Sequence, residues 1–466
     1  MKTMKPRTLR ELRASNYRVR SVREEMRQNL VDKLARHEEV FPGIIGFQDT
    51  VIPQMENALL AGQDLILLGE RGQAKSRLMR SLVNLLDEEV PVIAACEIND
   101  NPYAPICRAC RDKCEELGDA VEIAWLPREA RLAEKLSTPD ISVADLIGEV
   151  DPIRVAEGRY LSDELTIHYG LVPRTNRGIF CVNELPDLPE RIQVGLFNLM
   201  EERDIQIKGY RIRLPLDVYV VASANPEDYT NRGRIVTPLK DRYGAQVRTH
   251  YPRTLEEELA IVDQERAHFG EMESRVVVPR HMREIIGEIT ALARRSPDIN
   301  QRSGVSVRVS IANYETLMSA ALRRGILCRE PRSAPRISDL PALVASTTGK
   351  IELESVEEGR EPRIIEELIK KGVLNVFGRS FNLRELDPVV QRFEGGATVE
   401  VGSEVPSETY LEKGKGLGDL SSAFTKLECG DSPETIASAL EFLLDGLHLN
   451  RRLNRDRVDG RFRYRG

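Results

Sequence analysis

The sequence predicts an α/β protein: a parallel sheet between helices, then a helical lid, then a mainly helical C-terminal extension. Three observations carry this expectation. Leu65-Ile66-Leu67-Leu68 is an apolar run that leads into a Gly-containing loop, and Lys75-Ser76 then opens an amphipathic segment (Leu78, Met79, Leu82, Leu85, Leu86). That is the pattern of strand, phosphate loop and helix. From about 41 to 253 apolar strands alternate with helical stretches, which implies a parallel sheet covered on both faces. From Leu255 to about Glu352 apolar residues recur at helical spacing, as in Met282-Ile285-Ile286-Ile289 and Leu317-Met318-Ala321-Leu322.

The loop comes first because its chemistry is the most specific. Its backbone amides, from Gly69, Glu70, Arg71, Gly72, Gln73 and Ala74 into the helix start at Lys75, Ser76 and Arg77, suit the oxygens of a triphosphate such as ATP. Lys75 can reach the β and γ oxygens, and the Ser76 hydroxyl can coordinate Mg²⁺. Ala74 stands where the general pattern has its last Gly. Gly178 to Glu184 is a second strand and ends in Asn183-Glu184, the place for a metal-side residue and a catalytic carboxylate. Val218 to Ala224 is a third, and ends at Asn225, which can orient an attacking water. Arg242 closes a short helical segment, and Arg308 follows Gly304-Val305-Ser306-Val307. A lone loop pattern is weak, but five elements in this order describe an ATPase core.

In these elements the chain resembles the AAA+ ATPases of the MoxR and magnesium-chelatase I-subunit clade, from about Gly43 to about Glu352. Ala before the loop Lys is common in the MoxR form. Asn183-Glu184-Leu185-Pro186 with Gln193 to Glu202 resembles the clade's Walker B strand and following helix, and Asp204 to Leu214, around Lys208-Gly209-Tyr210, its pre-sensor-1 hairpin. The resemblance implies an adenine clasp at Ile44-Ile45, sensor 1 at Asn225, an arginine finger at Arg242 and sensor 2 at Arg308. Within residues 136–178, Leu146 to Asp151, Gly158 to Leu161 and Gly170 to Pro173 resemble the clade's helix-2 insertion; His168 there reads as a surface or packing residue. One departure concerns the metal: the family normally has Asp-Glu where this chain has Asn183-Glu184. An Asn carbonyl is a weaker partner for Mg²⁺ than a carboxylate.

Composition is that of an ordinary globular chain. Its 466 residues suffice for two or three domains, and 41% are apolar and 30% charged. No transmembrane run or signal peptide is visible, so the cytoplasm is the expected compartment. The net charge of −7 argues against a nucleic-acid partner. Both ends are locally basic, Lys2 to Arg27 and Arg451 to Arg465; they read as solvated tails or as docking surfaces for an acidic partner. Cys96, Cys107, Cys110 and Cys114 cluster after the expected second core strand, and the Cys107-x-x-Cys110 spacing suits structural Zn²⁺. Isolated thiols are the competing reading. Cys181, Cys328 and Cys429 read as buried small hydrophobes.

The expected organisation is a basic helical segment over 1–40, with an amphipathic helix from Val22 to His37, and a P-loop core over 41–253. That core carries a cysteine-rich insertion at 96–114 and the helix-2-type insertion at 136–178. A lid over 254–352 and an extension of unassigned role over 353–466 follow, with helices from Pro362 to Val376 and Pro433 to Leu449. Arg242 lies too far along the chain to serve its own γ-phosphate in such a fold, so it should complete a neighbour's site. The expectation is therefore a homo-oligomeric, hexameric ring, chaperone-like, that remodels or metal-loads a partner; by resemblance the partner carries a von Willebrand factor A domain. The alternatives are a genuine magnesium chelatase I subunit and a weakly hydrolysing nucleotide-sensing scaffold.

Overall fold

The computed structural model describes residues 5–151, 153, 156, 164–206, 213–225, 234–354, 359–458 and 461–466. The chain forms two compact units, Met1–His250 and Tyr251–Gly466.

The first unit is built on a five-stranded parallel sheet. Its strands are β1 (Leu65–Leu68), β2 (Leu132–Leu136), β3 (Gly178–Asn183), β4 (Val218–Ala224) and β5 (Ala245–Arg248), in the spatial order β5-β1-β4-β3-β2. β1 is sealed on both edges, with Leu68 opposite Ala224 on one side and Arg248 on the other. Side chains alternate between two apolar cores, as the pleat demands. Ile66, Phe180, Val182, Val220 and Ala222 face one core, and Leu65, Leu67, Ile179, Cys181 and Val221 the other. The second core is covered by Val22–Ala35, Val51–Ala61 and Lys75–Ser81.

The basic N-terminal segment is fixed to this unit. Glu25, 3% exposed, receives both Arg131 Nη atoms at 2.7 and 2.6 Å, and Arg23 pairs with Asp64 at 2.5 Å. Arg13 and Arg20 pair with Asp119 and Asp87. The reading as a solvated tail fails here because these cations have carboxylate partners within the chain. It fails at the other end too: Asn454–Val458 and Arg461–Arg465 form a hairpin extended by Val399–Val401, with Arg455, Arg463 and Arg465 paired to Asp445, Glu400 and Asp456.

The place of the cysteine segment also differs from expectation. Glu89–Ile93, the strand that precedes the cysteines, pairs antiparallel with Ile123–Pro127, outside the five-stranded sheet. The segment between them is not short of a core: Ile98, Cys107, Cys110 and Val121 are buried in the same cluster as β3 and β4. The hairpin expected over Asp204 to Leu214 pairs Asp204–Gln206 with Arg213–Pro215. Its tip at Lys208-Gly209-Tyr210, and Gly158 to Leu161 of the insertion, lie outside the described residues. His168 is exposed.

The second unit is mainly helical, with Leu255–Glu265, Arg280–Ala293, Arg308–Leu327, Arg360–Ser380 and Pro433–Leu449 around one apolar core that runs from Val262 to Tyr464. Residues 254–352 and 353–466 thus share a core. Close approach of two helices at Gly446 explains that glycine: a Cβ there would lie 2.0 Å from the Phe377 ring. Cys181 is fully buried as expected, but Cys328 and Cys429 are only partly so, Cys429 packing against the margin of the apolar core.

Candidate nucleotide site and cysteine cluster

The loop after β1 folds tightly because its residues brace one another. The Gly69 N–H donates to Ala224 O at 3.1 Å, and a Cβ at Gly69 would meet Thr249 Oγ1 at 1.9 Å and Gln73 Oε1 at 2.2 Å. Gln73 Oε1 accepts from the Glu70 N–H at 3.1 Å and from Thr249 Oγ1 at 2.7 Å. Gly72 has φ 77° and Ala74 φ 54°, so the position that usually holds Gly keeps the left-handed conformation with a Cβ present. Arg71 and Arg77 are exposed.

Lys75 is buried and aims its Nζ back at the loop, donating to Gly69 O at 2.6 Å, Glu70 O at 2.7 Å and Asn225 Oδ1 at 2.7 Å. Ser76 Oγ donates to Asn183 Oδ1 at 3.2 Å, and Ser223 Oγ to the same oxygen at 3.1 Å. Lys75, Ser76, Asn183 and Asn225 are therefore gathered at the C-terminal ends of β1, β3 and β4. Glu184 follows directly, half-buried, with φ 55° and ψ 52°, and its N–H donates to Ser223 Oγ at 3.2 Å. A non-glycine residue held in that region is a strained one.

Asn183 has a partner that sequence reading missed. Its Nδ2 donates to Glu134 Oε1, and Arg80 clamps the same carboxylate with Nε at 2.6 Å and Nη2 at 3.0 Å. The neutral Asn183 thus sits against a carboxylate from β2, whose Leu136 is opposite Asn183 in the sheet. The signal was an acidic residue inside a short apolar strand, but its meaning depends on β2 pairing with β3, which no motif announces.

Other candidates are placed elsewhere. Ile44-Ile45 lie between left-handed turns at Gly43 (φ 73°) and Gly46 (φ 82°), with Ile44 in the core of β1 and the Lys75 helix. The Arg242 guanidinium is held by Glu201, donates from Nη1 to Pro238 O at 2.7 Å and lies 4.8 Å over the Phe197 ring. Arg308 is exposed at the start of its helix in the second unit.

The cysteines are brought together only in part. The sulfurs of Cys96, Cys107 and Cys110 and a carboxylate oxygen of Asp100 all lie within 4.8 Å of one another. Cys114 is outside the group, and Asp100 takes its place. Hydrogen bonding from Cys107, then from Cys110, draws the Cys96 thiol well down, and the bond to Cys107 helps push Cys110 up.

No protein-family model matches the chain. Among curated proteins it is 22% identical over 387 residues to the magnesium-chelatase subunit ChlI of Nostoc sp., across 78% of this chain and 95% of that one. It is 26% identical over 209 residues to ChlI-2 of Arabidopsis thaliana, across 44% and 46%. It is also 26% identical over 191 residues to the ChlI homolog of Methanocaldococcus jannaschii, across 39% and 47%. Among solved structures, a BchI and BchD magnesium chelatase complex matches at 18% identity over 71% of this chain and 98% of that one, with a TM-score of 0.36. A putative ATPase from Cytophaga hutchinsonii matches at 15% identity, over 78% and 98%, with a TM-score of 0.31. Among the described residues no helix is long and apolar enough to cross a membrane. The ordered motifs, the β5-β1-β4-β3-β2 sheet with its loop after β1, and the similarity to the curated relatives together support a ChlI-like AAA+ ATPase.

Proposed function

We propose that the chain binds ATP with Mg²⁺ at the loop after β1, hydrolyses it, and works as a ring that remodels or metal-loads a protein partner. The observation that carries this reading is the convergence of Lys75, Ser76, Asn183 and Asn225. Lys75 is the cation for the β and γ phosphates, and its present acceptors are groups that a triphosphate replaces without leaving a buried charge unpaired. Ser76 and Asn183 offer oxygens on the metal side, and bound Mg²⁺ would neutralise charge that develops on the phosphates. Glu184 takes a proton from the attacking water, Asn225 helps to orient that water, and the bond from the γ-phosphorus to the ADP oxygen breaks. Ile44-Ile45 is the adenine clasp in this reading, and Arg308 is the sensor on the second unit.

A ring follows from Arg242. Held by Glu201 on the first unit, it is the residue that would reach a neighbour's γ-phosphate, and a hexamer is the state the family resemblance implies. The partner in this reading carries a von Willebrand factor A domain, again by resemblance. The names of the curated relatives favour a second reading, in which the ring drives Mg²⁺ insertion into a porphyrin by other subunits.

Turnover of the wild type against Glu184→Gln tests the first step. Steady ATP hydrolysis that falls to background in Glu184→Gln supports it, and a wild type at the Glu184→Gln level leaves only a nucleotide-sensing scaffold. Lys75→Ala should bind ATP weaker by about one to several factors of ten, read by calorimetry; unchanged affinity would remove the loop from the site.

A further inference from the structure

Asp100 is fully buried, yet only one of its carboxylate oxygens is used: Oδ2 accepts from the Ile106 and Cys107 N–H groups at 3.1 and 3.0 Å, while Oδ1 has no hydrogen-bond partner. Among the described residues no cation is among the groups that act on its charge. A buried carboxylate oxygen left without donor or counter-charge is costly, and a bound ion is one of the few partners that would offset it. What lies beside it is a set of three sulfurs, from Cys96, Cys107 and Cys110.

We propose that Cys96, Asp100, Cys107 and Cys110 form a closed structural Zn²⁺ site. The donor set is three thiolates and one carboxylate, which suits a borderline-soft ion of tetrahedral preference and not Mg²⁺ or Ca²⁺. Four protein ligands leave no open position, so the role is structural. With Zn–S near 2.3 Å, sulfurs around a tetrahedral ion stand about 3.8 Å apart. The group here is gathered to within 4.8 Å, so closing on an ion takes a shift of side chains and not of the fold. The backbone already stabilises charge on the ligands: the Asp100 N–H donates to Cys96 Sγ at 3.3 Å and the Cys110 N–H to Cys107 Sγ at 3.4 Å. These N–H···S bonds are the outer support that orients thiolate ligands.

The site would pin a segment tied to the approach to β3. Asn99 Nδ2 donates to Arg174 O at 2.7 Å, Asn176 Nδ2 to Ile98 O at 3.1 Å, and Arg111 pairs with Glu164 at 3.1 Å. This inference is independent of whether ATP is hydrolysed.

The test uses the full chain, purified without chelators. Elemental analysis should find about one Zn²⁺ per chain. After removal of the metal, Co²⁺ alone should give the visible bands of tetrahedral thiolate coordination in the wild type. Cys114→Ser should keep both readouts, because Cys114 is outside the group. Cys107→Ser should lose both, and Asp100→Asn, which keeps the shape and the Oδ2-type acceptor, should shift the Co²⁺ bands and weaken binding at least tenfold. The proposal is overturned if the wild type carries no zinc and gives no Co²⁺ bands, if Cys114→Ser loses metal as Cys107→Ser does, or if Asp100→Asn binds and absorbs as the wild type.

Discussion

Ala74 keeps φ 54° in the turn that delivers Lys75, where a Cβ costs about 1–2 kcal/mol relative to ordinary backbone. Ala74→Gly relieves that strain but adds freedom to the unfolded chain, so the net gain should be about 0.5–1 kcal/mol, read as a higher denaturant midpoint at unchanged slope. A lower midpoint would show that the methyl contributes packing the strain does not outweigh. Asn183 carries a subtler expectation. Restoring the family's acid with Asn183→Asp would set a second carboxylate against Glu134, and like charges that close cannot both ionise freely. Asn183→Asp alone should therefore fail to tighten Mg–ATP. The double variant Glu134→Gln, Asn183→Asp should bind better than the two single effects predict, by a coupling of about 1–3 kcal/mol. Additive effects would mean that Glu134 does not govern the site. Asn183 and Asn225 were legible because each ends an apolar strand, and Lys75 and Ser76 because they open the helix after a Gly-containing loop; both are local signals. Glu134 and Asp100 were not, because what they face is decided by strand pairing and chain return.

At the scale of elements, the helix Arg280–Ala293 contains a group that should report acid. His281 is fully buried and stacked on Phe442 at 4.8 Å, and its Nε2–H donates to Ser438 Oγ at 3.1 Å while Nδ1 has no partner. Desolvation pushes its pKa down from 6.5 to about 3. The unfolded chain therefore binds the proton first, and stability falls as pH drops from 6.5 towards 3, by up to about 4–5 kcal/mol for this one group. Above pH 7 it contributes nothing. His281→Gln should flatten the urea midpoint in that window relative to wild type; parallel curves would show that other groups set the acid limb. The helix itself was legible from Met282-Ile285-Ile286-Ile289, all buried here. β2 was not, because Leu-Ala-Glu-Lys-Leu is a short and half-polar run, and Glu89–Ile93, which looks the better strand, is drawn into an antiparallel pair by Ile123–Pro127.

At the scale of the whole molecule, the question is whether one chain can complete its own site. Arg242→Ala should bind ATP nearly normally, because Lys75 and the loop belong to the same chain, yet lose turnover by roughly 10³ to 10⁵ if it is a finger offered to a neighbour. Mixing Arg242→Ala with Glu184→Gln should then restore part of the activity, because some interfaces pair an intact Glu184 with an intact Arg242. No restoration, with subunit exchange demonstrated separately, would make Arg242 a residue of its own chain's packing with Glu201 and Phe197. The sheet order has one more consequence, for the time before any ring exists. β1 lies between β4 and β5, and Lys75 and Asn225 are separated by 150 residues of chain. At about 5–20 residues per second of synthesis, the most apolar strand of the sheet waits some 8–30 s for its first neighbour. During that interval Leu65–Leu68 has two open edges, so the nascent chain is most exposed to mispairing there. The helices Val22–Ala35 and Val51–Ala61, made earlier and packed against Leu65 and Leu67 in the finished fold, are the segments already available to shield it on the ribosome.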